Sequence, residues 1–155
     1  MTICTHDREH FFGEVRNEKM VLSDMGSIVY EEWCKTPEIR KSISLTLEVS
    51  CVMPNHFHAL LLIGDPELPS HYGRFLATNA APAKFGGAHS QTLGAIVRGF
   101  KGSCTNRIHR AGFSDFRWQP RFHNHIVRDH YSFLRIRQYI LDNPRRWQGD
   151  RFYDR

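Results

Sequence analysis

Hydrophobic positions along the chain change their spacing several times, and each change predicts a new element. An alternating run at residues 2–5 predicts a short first strand. Ser23 then precedes apolar positions at helical spacing, which predicts a helix that Ser23 caps and that ends before Pro37. From residue 43 to residue 51 apolar and polar side chains alternate, as in a strand with one buried face. A tight turn leads into a second strand at residues 56–63, and the two strands are expected to form an antiparallel hairpin.

The second half of the chain predicts a long loop, two helices and one more strand. Residues 64–91 are rich in Pro, Gly, Ala, Ser and Asn and have no strong period, which predicts a flexible loop. A helix with one apolar stripe follows over residues 93–110. Residues 117–127 predict another strand, centred on residues 122–127. Asp129 is the expected cap of a final helix that ends near residue 142.

This order of elements is β-α-β-β-α-β-α, with an antiparallel hairpin in the middle. It predicts an α+β fold, a ferredoxin-like (split βαβ) sandwich with helices packed on an antiparallel sheet. At 155 residues the chain has the length of one domain, so we expect a single catalytic domain over residues 1–155.

Composition and charge narrow the class of protein. No apolar run approaches the roughly 20 residues of a membrane helix, and the first residues lack the apolar region of a secretory signal. Four scattered cysteines without a CxxC pair fit a reducing compartment, so we expect a cytoplasmic protein with no membrane contact. The net charge is +5, and most of the excess lies after residue 97, which suggests a polyanionic partner.

Two histidines and a tyrosine helix are the candidates for chemistry. His56 and His58 are two residues apart on a predicted strand, so both point to one face and could hold a divalent ion. Tyr139 and Asn143 are four residues apart on one helical face, where Asn143 offers a neutral oxygen as a third ligand and Tyr139 a phenol. Taken singly, each residue also has a structural explanation, such as strand packing or a helix cap.

Basic residues on the two C-terminal helices predict contacts with phosphate groups. One set lies off the apolar stripe of the residue 93–110 helix, and the other surrounds Tyr139. The candidate DNA-binding residues are Arg98, Lys101, Arg107, Arg135, Arg145 and Arg146.

Four segments, in this order and spacing, resemble the REP-associated tyrosine transposases, which are single-strand DNA transposases with a His-hydrophobe-His signature. The segments are VMPNHFHALL, LGAIVRGFKG, WQPRFHNHIVRD and IRQYILDNPRRW, and the resemblance runs over residues 1–147. The chain departs from the family pattern at Pro120 and Asn124, which lie within the third segment.

The resemblance implies a role for each candidate residue. His56 and His58 would be metal ligands, Asn143 the third ligand and Tyr139 the nucleophile. The implied activity is metal-dependent cleavage and rejoining of single-stranded or hairpin DNA through a 5′-phosphotyrosine intermediate. The implied cofactor is Mg²⁺ or Mn²⁺, although the softness of the ligands would also admit Zn²⁺ or Ni²⁺. The acting species would be a monomer or a homodimer.

Two alternative functions use the same residues differently. The chain could be a catalytically idle protein that binds hairpin DNA. It could also be a metal-dependent phosphoesterase with a water nucleophile, in which Tyr139 has a structural role.

Overall fold

The computed structural model describes residues 1–41, 44–64 and 92–153. In chain order, the strands and helices are β1 (Thr2–Cys4), β2 (Gly13–Arg16), β3 (Lys19–Leu22), α1 (Asp24–Ile39), β4 (Ser44–Met53), β5 (His56–Gly64), α2 (Leu93–Arg110) and α3 (His130–Leu141). A 3₁₀ helix at His6–Arg8 follows β1, and another at Pro144–Gly149, the C-terminal 3₁₀ helix, follows α3.

β5 is the central strand of an antiparallel sheet with the order β1-β5-β4. Two isolated bridges, between Thr2 and His123 and between Thr5 and Trp118, continue the sheet beyond β1. Side chains of α1 and α2 pack against one face of this sheet, and those of α3 against the other. These features confirm the predicted α+β fold with helices on an antiparallel sheet.

The two faces of β5 bury separate hydrophobic clusters. Phe57 and Ala59 lie in the larger one, which we call the main core and which includes buried side chains of α1 and α2. Leu60 lies on the opposite face, where it packs with Phe133 and Ile140 of α3 in a smaller α3 cluster. The helix that carries Tyr139 is therefore held by contacts that are distinct from those of the main core.

β4 changes face in its middle because a β-bulge interrupts its pairing with β5 between Leu47 and Val49. Leu47 packs against the main core, whereas Val49 and Cys51 lie in the α3 cluster. The predicted continuous alternation over this strand is wrong, because one extra residue reverses the direction of every side chain after it. That residue is Glu48, and its carboxylate accepts a hydrogen bond of 3.0 Å from Nε of Arg137 on α3.

A second sheet, formed by β2 and β3, is absent from the sequence-based prediction. Asn17 and Glu18 connect the two strands, with φ angles of 49° and 60°. A two-residue hairpin turn with positive φ at both positions normally has Gly in second place. Glu18 occupies that place here, so the sequence lacks the glycine that would predict the turn.

The predicted helix caps at Ser23 and Asp129 are confirmed. Ser23 Oγ accepts a hydrogen bond of 3.1 Å from the amide of Gly26, and Asp129 accepts one of 2.8 Å from the amide of Ser132. The prediction that α1 ends before Pro37 is wrong, because α1 runs on to Ile39. Pro37 lacks the N–H that would bond to the carbonyl four residues before it, and α1 ends within one turn of it, where the amide of residue 40 donates to the carbonyls of Thr36 and Pro37.

The predicted strand at residues 117–127 does not form. Residues 117–127 pair with the sheet only at the two isolated bridges, and residues 124–127 have no regular secondary structure. Pro120 lies between the bridges, and since it has no N–H to donate, a continuous ladder cannot pass through it.

The predicted loop at residues 64–91 lies outside the described residues, apart from Gly64, which ends β5. None of the helices in the described ranges combines the length and the apolar content needed to cross a membrane.

Candidate active site

His56 and His58 lie side by side on one face of β5, as the two-residue period predicts. Their ring centroids are 4.5 Å apart, and the ring planes are inclined by 75°. Both residues are buried, with exposed fractions of 0% and 4%. The sheet register places His56 between Cys4 and Met53, so the pair sits inside the sheet rather than at its edge.

Each histidine uses its Nδ1 atom for a hydrogen bond within the protein. Nδ1 of His56 lies 2.8 Å from Oδ1 of Asn55, whose Nδ2 donates to the carbonyl of Phe152 at 2.8 Å. Because that carbonyl engages the amide nitrogen, the amide oxygen faces His56, and Nδ1 of His56 carries the proton. Nδ1 of His58 makes a similar contact of 2.8 Å with Oγ1 of Thr2. This tautomer leaves the Nε2 lone pair of His56 free for a ligand, and Thr2 can hold His58 in the same form.

Three buried acceptor atoms have no hydrogen-bond partner of good geometry within the described ranges. They are Nε2 of His56, Nε2 of His58 and Oδ1 of Asn143. Asn143 is 1% exposed and lies next to His56, and its Nδ2 donates to Asp150 at 3.4 Å. Leaving one buried acceptor without a partner costs about 1–3 kcal/mol. Such a group of neighbouring acceptors indicates a site for a positively charged ligand.

Both imidazoles are uncharged at neutral pH. Burial lowers the pKa of His56 to about 2, and the neighbouring His58 adds to the effect. Burial lowers the pKa of His58 to about 3, and the positive charge of the N-terminal ammonium group contributes. A neutral imidazole is the form that binds a metal ion.

The donor set of His56, His58 and Asn143 fits a divalent metal ion. Two neutral nitrogens and an amide oxygen suit several such ions, including Mn²⁺ and Mg²⁺. In the part of the chain that the structure describes, no three His, Cys, Asp or Glu side chains lie close enough to hold a metal. Within these residues, the neutral oxygen of Asn143 is the protein group available as a third ligand beside the two histidines.

Tyr139 lies on α3, with its ring centroid 5.5 Å from that of His58. The residue is 40% exposed, so its phenol borders both the histidines and solvent. Burial, followed by the negative charge of Asp150, raises the pKa of Tyr139, while Asn143 and Arg151 act in the opposite direction. The phenol is therefore protonated at neutral pH and has a carboxylate beside it.

Further charged residues next to the histidines do not stand out in the sequence. Asp150 contacts Asn143 and lies beside Tyr139. The guanidinium carbons of Arg8 and Arg151 lie 5.1 and 4.6 Å from the ring centroid of Phe152. These residues belong to short turns and to the segment after the last predicted helix, where no periodicity marks them.

The predicted DNA-binding residues of α2 lie across the sheet from the histidines. Arg98 is exposed. The ammonium group of Lys101 donates to backbone carbonyls at residues 119 and 120. Arg107 bridges two glutamates of α1 at 2.7 and 2.8 Å. Two carboxylates thus already engage the charge of Arg107.

The remaining predicted DNA-binding residues lie on the same side of the sheet as the histidines. Arg135 is exposed on α3, and Arg145 and Arg146 are exposed on the C-terminal 3₁₀ helix. Arg145 pairs with Glu18 at 3.2 Å, and Arg146 pairs with Asp142 at 3.8 Å. These three arginines therefore belong to the side of the sheet that carries Tyr139, whereas those of α2 belong to the other side.

An open polar cleft of about 650 Å³ adjoins the site. Its lining includes His10, Asn17, Arg145, Trp147 and Tyr153. The ring centroid of Trp147 lies 6.0 Å from that of His56 and 5.4 Å from that of Tyr153, so the indole separates the cleft from the histidines.

Comparison with known proteins places the chain beside one curated relative and one solved structure. An uncharacterized protein of Haemophilus influenzae is 34% identical over 158 residues, and the match covers 99% of this chain and 83% of the relative. The solved structure of a REP-associated tyrosine transposase bound to a REP hairpin is similar with a TM-score of 0.57. That match has 16% identity and covers 94% of this chain but 64% of the transposase chain. No protein-family model matches.

Proposed function

This chain belongs to the same family as the Haemophilus influenzae protein and has the fold of the REP-associated tyrosine transposase, and we propose that it is a single-strand DNA transposase. It cleaves and rejoins DNA at hairpin-forming sequences through a 5′-phosphotyrosine intermediate, with Mg²⁺ or Mn²⁺ as cofactor. Its partner is single-stranded or hairpin DNA in the cytoplasm, and the acting species is a monomer or a homodimer.

One observation carries the proposal. The unpartnered acceptor atoms of His56, His58 and Asn143 lie together, and the phenol of Tyr139 stands beside them. A binding module that only recognises hairpin DNA has no need for buried, unpaired ligand atoms next to a half-exposed phenol. This arrangement supports catalysis over binding alone.

The reaction begins with attack by the Tyr139 oxygen on a phosphodiester. The new bond joins the phenolic oxygen to phosphorus, the bond from phosphorus to the 3′ oxygen breaks, and the departing 3′ oxygen takes up a proton. A divalent ion held by His56, His58 and Asn143 would supply polarisation of the phosphate and stabilisation of its developing charge. Because the phosphotyrosine bond conserves the energy of the phosphodiester, a 3′ hydroxyl can reverse the step without ATP.

Asp150 acts on two side chains of the proposed site, Asn143 and Tyr139. By accepting a hydrogen bond from Nδ2 of Asn143, it leaves the oxygen of that amide facing the histidines. Its carboxylate also lies beside the Tyr139 hydroxyl, which must lose a proton when it attacks. Asp150 is therefore the acceptor that we assign for the phenol proton.

Substrate recognition is proposed for the side of the sheet that carries the histidines. Arg135, Arg145 and Arg146 are exposed there and suit the phosphate backbone. The polar cleft has the exposed rings of His10 and Tyr153 in its lining, and aromatic rings of this kind support stacking of unpaired bases.

A denaturing gel tests the proposed function directly. The wild-type protein, incubated with Mn²⁺ and an end-labelled DNA hairpin with short unpaired tails, should yield a covalent protein–DNA adduct. Tyr139→Phe should abolish the adduct and still bind metal. His56→Ala should abolish the adduct and still retard the hairpin on a native gel, because the ion serves the chemistry more than the affinity.

The other outcomes identify the alternatives. Free cleaved ends without an adduct would indicate a phosphoesterase with a water nucleophile, and an unaltered but retarded hairpin would indicate a binding module. An adduct formed by the Tyr139→Phe protein would contradict the assignment of Tyr139, because no other residue has that role.

A further inference from the structure

Two arginines from distant parts of the chain meet beside the candidate site. Arg8 belongs to the 3₁₀ helix after β1, and Arg151 follows the C-terminal 3₁₀ helix. Nη1 of Arg8 donates to the backbone carbonyl of Arg151 at 3.4 Å. Both guanidinium groups approach the ring of Phe152, at 5.1 and 4.6 Å from its centroid.

No carboxylate within residues 1–41, 44–64 and 92–153 forms an ion pair with Arg8 or Arg151. A cation–π contact at an exposed site contributes about 0.5–1 kcal/mol and leaves most of the guanidinium N–H donors to solvent, where a ligand can reach them. Two like charges on one ring also repel each other. An anion between the two groups would therefore accept hydrogen bonds from both and reduce their mutual repulsion.

The backbone at Asp7 and Arg8 has a constrained conformation that fixes the direction of the Arg8 side chain. Asp7 and Arg8 have φ angles of 49° and 57°, in the left-handed region that non-glycine residues rarely adopt. Such a conformation costs about 1–3 kcal/mol per residue and persists where the surrounding structure enforces it, often at functional sites. Here it aims the Arg8 side chain at Phe152 rather than leaving it in solvent.

The pair lies close to the reacting groups. The ring centroid of Phe152 is 4.5 Å from that of His56 and 6.4 Å from that of His58. The positive charge of Arg151 lowers the pKa of both histidines and acts to lower that of Tyr139. An anion held by this arginine therefore lies within electrostatic range of all three side chains.

We propose that Arg8 and Arg151 form a phosphate-binding pair that holds the DNA strand at the entrance to the His56, His58 and Tyr139 site. The ligand is one phosphodiester group of the bound strand, and guanidinium groups suit it because their planar N–H donors match phosphate oxygens. This inference rests on the proposed function in that DNA is the ligand. It adds a contact that operates before any metal is bound.

The test measures binding in EDTA, so that neither metal nor cleavage contributes. The probe is the DNA hairpin with short unpaired tails, in which each tail phosphate is replaced in turn by a neutral methylphosphonate. For the wild-type protein, one position should weaken binding about tenfold, the size expected for losing a hydrogen bond to a charged group. Arg8→Ala and Arg151→Ala should each bind the unmodified hairpin about tenfold more weakly and lose the penalty at that position.

Matched variants control for folding and for general loss of charge. Arg8→Lys and Arg151→Lys keep the charge and should keep part of the positional penalty. Arg16→Ala removes an exposed arginine that pairs with Glu14, and it should leave the penalty at its wild-type size. Thermal unfolding of each variant should show the native transition.

The proposal is overturned if no methylphosphonate position affects wild-type binding, or if Arg8→Ala and Arg151→Ala retain the full penalty. Failure of the proposed function gives a different result. In that case the wild-type protein forms no covalent adduct with Mn²⁺, while the positional penalty and its dependence on the two arginines remain.

Discussion

At the scale of single residues, the two buried histidines tie the stability of the fold to pH. Their pKa values of about 2 and about 3 lie below the value of about 6.5 for an unfolded chain. Below pH 6.5 the unfolded state therefore binds protons that the folded state does not, and stability falls as the pH falls. The loss should approach about 1.4 kcal/mol per pH unit for each histidine.

Chemical unfolding of the metal-free protein between pH 7.5 and pH 5 measures this slope. His56→Gln should make the slope shallower, because one of the two groups that resist protonation is gone. His125→Gln replaces an exposed histidine and serves as the control. Equal slopes in all three proteins would show that protonation of the buried pair does not limit stability.

Asp150 is a second residue whose removal has a defined outcome. Because Asp150 holds the Asn143 amide, Asp150→Ala should weaken Mn²⁺ binding, measured by calorimetry, by about 10–100-fold, as for other groups that orient metal ligands. Adduct formation should slow, while hairpin affinity should not fall, since a negative charge is removed. Asp142→Ala removes the neighbouring carboxylate that pairs with Arg146 and should leave Mn²⁺ affinity unchanged. An equal loss of Mn²⁺ affinity in the two variants would show that Asp150 does not orient Asn143.

Periodicity was enough to find the central side chains of the candidate site. The two-residue spacing of His56 and His58 and the four-residue spacing of Tyr139 and Asn143 depend only on local geometry, and the structure brings all four together. Arg151 depends instead on how the chain turns back after α3, which no local spacing encodes.

At the scale of elements, two glycines in helices have opposite roles. A Cβ atom at Gly26 would lie 2.1 Å from the carbonyl oxygen of Phe12, whereas one at Gly102 would meet nothing within 4 Å. Gly26→Ala should therefore lower the free energy of unfolding by about 1–3 kcal/mol through overpacking. Gly102→Ala should raise it by about 0.5–1 kcal/mol through helix propensity. Urea unfolding measures both, and a stabilising Gly26→Ala would show that Phe12 can move away from α1.

Two of the element-scale errors of prediction share one physical cause. The bulge at Glu48 is invisible because the apolar residues on either side of it continue the same alternation in sequence. The β2-β3 turn is invisible because Glu18 adopts a positive φ without being glycine. In both places tertiary contacts overrule the local preference.

At the scale of the whole molecule, the candidate DNA-binding residues lie on two opposite sides of the sheet. Phosphate contacts release counterions. Each contact therefore steepens the slope of log affinity against log salt concentration by about 0.7 for single-strand binding. Replacing Arg135 and Arg145 by alanine should flatten the plot of log affinity against log salt concentration more than replacing Arg98 and Lys101. The reverse order would place the DNA on α2, across the sheet from Tyr139.

The separate packing of α3 has a consequence for the order of events on DNA. Phe133 and Ile140 anchor this helix in the α3 cluster, apart from the main core. A helix with its own small set of apolar contacts can open as an independent cooperative unit while the remainder of the domain stays folded. If Tyr139 is joined to a strand, such an opening would carry that strand away from the histidines and let a different 3′ end take its place. One domain could then exchange DNA ends without releasing the strand that it has cut.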